Sequence, residues 1–341
     1  MRQLSGISAV GGMGPESRGS RDPLRSPRAP EGAAPAGRTV WSEAGPQGDP
    51  VFRRSGPVAG SACTVKTDIS RQLTTFALVL PVLVLPAVAY AVSQGVDLDH
   101  IGEAPIPVQL ALYGQALAPA IAAAVAFRGR GFPWGFVKVP WMTLLTAWAI
   151  PVIGVGLAYG TGWLTGLASF GAHGLPMPPL LMVVVGLVPG LAPYLLLALG
   201  EQLGWSSFLV TRLGERHSAD VVAVVVGIAW ALFHVPLMLF VPGAVDPGVP
   251  MAYALLWFTA QSVVLAFPLV WFRLRTGSIW PVLVLHAALN AAIYFVGQAM
   301  TQPHSPWLLG EGGVLTTAGL AVSVAVTARW WRQSRVSPAA A

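Results

Sequence analysis

Residues 221–240 read VVAVVVGIAWALFHVPLMLF, twenty positions with a single ionisable side chain, His234. At 1.5 Å of rise per residue such a run covers about 30 Å as a helix, the thickness of a bilayer's hydrocarbon core. It lacks the alternation of a barrel strand, and backbone facing lipid must satisfy its own hydrogen bonds, so the run reads as a transmembrane helix. Outward from it, seven more apolar runs lie at roughly 73–93, 107–127, 141–163, 180–211, 251–272, 279–299 and 312–328. The expected fold class is therefore all-α, a polytopic membrane helix bundle of about eight transmembrane helices. The fourth run is long for one crossing, and Pro189, Gly190 and Pro193 in it predict a kink or a short break.

Composition agrees. The chain is 54% hydrophobic and 10% charged, against about 25% charged in soluble domains, which excludes a soluble globular protein. Its net charge of +6 is spread thinly and forms no basic patch, so no nucleic-acid partner is expected. Cys63, the only cysteine, allows neither an internal disulfide nor a Cys-rich zinc site. Residues 1–70 are rich in Gly, Pro, Ser, Ala and Arg and hold no sustained apolar run. They read as a disordered N-terminal tail, or as the product of a start codon taken too far upstream, and they show no signal-peptide pattern. The bundle is assigned to 71–335.

Cations set the orientation. Lys66 and Arg71 precede the first run, Arg128, Arg130 and Lys138 follow the second, Arg212 and Arg216 the fourth, Arg273 and Arg275 the sixth, and Arg329, Arg332 and Arg335 the last. The intervening loops hold only Asp97, Asp99, Glu103, Asp246 and Glu311 as charges. By the positive-inside rule both termini are expected in the cytoplasm, with the protein integral to the plasma membrane. Trp141, Trp163, Trp271, Trp280 and Trp330 stand near the span ends, where indoles anchor at the headgroups.

An ionisable side chain inside a span is costly and gets a functional reading by default. Three qualify: Glu201, His234 and His286. Counted from the basic ends of their runs they lie roughly 15, 20 and 14 Å deep, one layer near mid-membrane. A carboxylate and two imidazoles are ligand types that zinc accepts, and together they could hold a divalent metal or polarise a water. Asn290 shares a helix face with His286 one turn on and could donate to a developing oxyanion. The rival reading is polar glue between helices.

The stretch Glu201-Gln202-Leu203-Gly204-Trp205-Ser206, then Trp230 with His234 and Pro236, then His286 with Asn290, resembles the three motifs of the CPBP family, the CAAX-prenyl-endopeptidase and bacteriocin-processing (Abi-like) intramembrane metalloproteases. The resemblance covers about 180–300. It implies a metal-dependent endopeptidase in which Glu201 is general base on a water, His234 and His286 coordinate metal (zinc) or that water, and Asn290 steadies the tetrahedral intermediate. The implied partners are membrane lipid and a membrane-associated or prenylated peptide, reached through a cavity open to the cytoplasmic side. The family pattern has a second Glu and an Arg where Gln202 and Ser206 stand. The two positions are one turn apart, so an i,i+4 ion bridge is lost as a unit and no orphan charge is left. The alternative is a catalytically impaired member acting as a membrane scaffold or immunity-type protein. A transporter is less favoured, since no repeated halves with matched broken helices are seen. Substrate identity and oligomeric state have no sequence signal.

Reporter fusions after Gly102, Gly174, Gly243 and Gly310 should all mark the outer side. A cytoplasmic signal from any one would redraw the spans.

Overall fold

The computed structural model describes residues 61–128, 132, 134–171, 175–301 and 306–333. Residues 1–60 of the expected tail, and the loop histidines His173 and His304, lie outside them.

α1 (Ser61–Ser93) begins about ten residues before the expected edge of the bundle, and the Gln72 amide donates to Asp68 one turn earlier at 2.9 Å. α2 (Ile106–Gly114) and α3 (Ala118–Phe127) join through a single 3-10 turn into one crossing. α4 (Trp141–Leu164) is continuous despite Pro151. The fourth run breaks where its prolines predict: α5 (Pro179–Leu187) stops, Val188 leaves helical geometry, and α6 (Leu191–Gln202) restarts. The Leu187 carbonyl freed at the break accepts from the Trp148 indole at 2.8 Å, so this acceptor is not left orphaned. A π-helical stretch at Leu203–Val210 and α7 (Thr211–Gly214) complete that run. α8 (Ala219–Phe240) and α9 (Met251–Thr276) follow, then α10 (Trp280–Asn290) with a second π-helical stretch at Ala291–Gly297.

Among the described residues, seven helices are long and apolar enough to cross a membrane. The eighth expected span is shorter. Gly312 and Gly313 stay in the loop, leaving α11 (Val314–Val326) at 13 residues, about 20 Å, with α12 (Ala328–Gln333) turning off at Thr327. No strand forms among the described residues beyond one isolated bridge, Phe170 to Thr301.

Outward-facing residues such as Leu164 (90% exposed) and Leu180 (77%) give α4 and α5 a lipid-compatible face. Trp141, Trp280 and Trp330 are exposed as interfacial anchors should be. Trp271 is not. It is buried, its indole donating to Asp220 at 2.8 Å while the Arg332 guanidinium lies over its ring, because these two half-exposed side chains partner its N–H and its apolar body.

Close packing rests on small residues, as expected where lipid removes the hydrophobic drive between helices. Gly200 and Gly204 flank Glu201 and lie against the backbone at Ala116 and Pro119, bringing α6 and the π stretch after it onto the α2–α3 crossing with no room for a Cβ. Gly227 lets α8 touch the α9 backbone at Val263. Gly204→Ala should therefore cost about 1–3 kcal/mol by overpacking. Gly156→Ala, a helical site with open space around it, should be neutral or stabilise by up to about 1 kcal/mol. Thermal unfolding in detergent reads both.

Candidate active site

Two of the three sequence motifs meet an α-to-π junction, the first crossing it and the third ending at it. Gln202 closes α6 and Asn290 closes α10, and the wider π turns start at the next residue in each case. Such turns lose helical packing and persist mostly at functional sites.

Trp230 gathers the expected residues. Its indole N–H donates to Glu201 Oε2 at 2.8 Å, tying α8 to α6. Its backbone carbonyl accepts from His234 Nδ1 at 2.9 Å, one turn along α8. Its ring meets the His286 imidazole edge-on with centroids 4.9 Å apart. Glu201 and His286 are buried and His234 is half-buried. A carbonyl can only accept, so neutral His234 carries its proton on Nδ1 and keeps a lone pair on Nε2. Asn290 is half-buried, and its side chain has no hydrogen bond among the described residues.

Gln202 and Ser206, the positions that depart from the family pattern, touch as their one-turn spacing predicts. Ser206 Oγ donates to Gln202 Oε1 at 2.6 Å, and Gln202 Nε2 lies 3.1 Å from His286 Nδ1. All are buried. Sequence reasoning missed a fourth participant. Arg273 appears in the chain as one of a pair of loop cations, yet it is only 3% exposed. Its Nε donates to the Ser206 carbonyl at 3.2 Å and its Nη1 to the Gly277 carbonyl. Gly135, at φ +83°, closes over the guanidinium so tightly that a Cβ there would collide with it. No local pattern marks Arg273 as buried; only the packing of α9 against the π stretch does so.

A cavity of about 480 Å³ reaches His234. Leu237, Met238 and Phe258 line its apolar part, with Tyr294, Gln298 and the carboxylates Asp99, Asp246 and Glu311 on the polar side. The Tyr294 hydroxyl donates to Glu311. These carboxylates belong to the acidic loops, so this cavity lies on the side away from the basic loops and not on the expected cytoplasmic side. The reason is local: His234 is six residues, about 9 Å, from the end of α8 that carries the Asp246 loop.

A catalytic zinc takes three protein ligands. Among the described residues no three His, Cys, Asp or Glu side chains gather closely enough to hold one ion. The residues as arranged do not fit the expected three-ligand zinc site.

Residues 175–292 match the family model described as Rce1-like, type II CAAX prenyl endopeptidase. No curated protein matches the chain in sequence.

The Trp230 bond to a carboxylate should be worth about 1.5–3 kcal/mol, and the neutral bond from Trp163 to Thr301 at 3.0 Å about 0.5–1.5 kcal/mol. Trp230→Phe should thus destabilise the protein more than Trp163→Phe in parallel thermal melts.

Proposed function

We propose, from the premise that this chain belongs over residues 175–292 to the CAAX-protease (CPBP) family, that it is an intramembrane endopeptidase acting on a membrane-associated or prenylated peptide. The observation that carries the reading is the clustering of Glu201, His234 and His286 around Trp230. Trp230 occupies one Glu201 oxygen, and Oε1 has no donor among the described residues, so it is placed to take a proton from water. His234 and His286 hold that water. The hydroxide attacks the scissile carbonyl, and the Asn290 amide donates to the oxyanion that forms. The proton on Glu201 then passes to the leaving amine, which restores the carboxylate.

The cavity supports the substrate class. Its apolar wall at Leu237, Met238 and Phe258 suits a lipid chain or an apolar peptide segment, and among the described residues His234 is the site residue that lines it. The second reading, a non-catalytic scaffold or immunity-type protein, is favoured by one observation, the Gln202 and Ser206 pair in place of Glu and Arg.

Incubating the purified protein in detergent with a library of prenylated and unprenylated peptides separates the two. Cleavage that falls about 10²-fold or more in Glu201→Gln is expected for loss of a general base. Equal product from both proteins would overturn the enzyme reading and leave the scaffold.

A further inference from the structure

The two site imidazoles are held by different kinds of partner. His234 is held by a backbone carbonyl, which only accepts, so its proton sits on Nδ1. His286 is held by the side-chain amide of Gln202, which can accept through Oε1 or donate through Nε2. In the structure Oε1 faces Ser206, whose hydroxyl donates to it at 2.6 Å, and Nε2 with its two protons faces His286 Nδ1 at 3.1 Å. A ring nitrogen that receives an N–H must offer a lone pair, so the neutral His286 ring carries its proton on Nε2. Gln202 and Ser206 are each 1% exposed and His286 is 5% exposed, so bulk water does not compete for these bonds.

A carboxylate at position 202 would do the reverse. Ionised, it only accepts, which draws the proton to Nδ1 and frees the Nε2 lone pair for a metal. The replacement of Glu and Arg by Gln and Ser therefore does more than remove a buried ion pair. It inverts the polarity of the hydrogen bond that reaches His286.

We propose that Gln202, oriented by Ser206, is a positioning residue that holds His286 as the Nε2–H tautomer, making it a hydrogen-bond donor and not a metal ligand at its second nitrogen. His234 is then the one site imidazole with a lone pair to offer at Nε2. The donor's part that this gives His286 in holding the water rests on the proposed function, but the tautomer itself stands on the hydrogen bonds alone.

The test uses full-length protein in detergent carrying ¹⁵N-labelled histidine. Nitrogen shifts and long-range proton couplings distinguish the two neutral tautomers, and His286→Gln and His234→Gln assign the signals. The expected result is opposite tautomers in one protein, Nδ1–H for His234 and Nε2–H for His286. Ser206→Ala frees the amide to rotate and should give His286 both forms. Gln202→Glu, or Gln202→Glu with Ser206→Arg if the single variant fails to fold, should convert it to Nδ1–H. An Nδ1–H signal from His286 in the unmodified protein overturns the proposal and needs no variant beyond those used for assignment.

Zinc titration gives a second reading. His286→Gln should leave zinc affinity unchanged, while the Gln202→Glu variant, alone or with Ser206→Arg, should bind zinc about 10–100-fold tighter, the size of typical outer-sphere effects on metal sites. A tenfold loss of zinc affinity in His286→Gln would overturn the ligand half of the proposal. Neither readout uses peptide cleavage, so failure here and failure of the peptidase reading are separate results.

Discussion

The hydrogen bond from Trp230 to Glu201 is the constraint on which the rest of the site depends. A charged side chain deep in a span costs about 2.5–3.5 kcal/mol even on the mildest scales, and the indole N–H is the donor that meets this carboxylate. Because the same tryptophan offers its carbonyl to His234 and its ring to His286, fixing Trp230 orients all three ionisable groups at once. Gly200 and Gly204 make that possible by letting α6 and the π stretch after it sit close on the α2–α3 crossing, and Gly227 does the same for α8 on α9. The glycines set the distance between helices, and the polar bonds choose their register.

Around this hub the buried polar network has exchanged an ion pair for neutral groups. An i,i+4 carboxylate and guanidinium would be compensated only by each other, whereas Gln202 and Ser206 satisfy one another without charge. A guanidinium nevertheless lies beside Ser206. Arg273 arrives from α9 and donates to the backbone of residue 206, and Gly135 makes room for it. The local structure is thus supported by a cation from another helix, and position 202 is released to act on His286.

The cavity at His234 combines an apolar wall with three carboxylates from the acidic loops. That arrangement differs from the cytoplasmic opening that the family resemblance implies, and it follows from the length of α8 and the site's place near one end of it. The π turns after Gln202 and Asn290 contribute to the same geometry. Each inserts an extra residue into the turn that leaves the site, so the flanking helix packs in one register while the site side chains keep another.

Apolar run length alone determined most of the crossings, because lipid solvates each helix separately and no partner is needed to decide that it spans. Contacts within one helix were equally legible: Gln202 with Ser206 and Trp230 with His234 are one turn apart, and helix geometry permits little else. The shortened last helix was not, since whether Gly312 and Gly313 join it depends on loop packing. Neither were the bonds that make a site of these residues. Glu201 to Trp230, Gln202 to His286 and Arg273 to Ser206 span 29, 84 and 67 residues of chain. Each requires two helices at a particular rotation and depth, and those are set by how small residues let backbones approach. The sequence could name the polar groups that lipid would not tolerate alone, but only the tertiary structure decided which of them satisfies which, and so which nitrogen of His286 carries the proton.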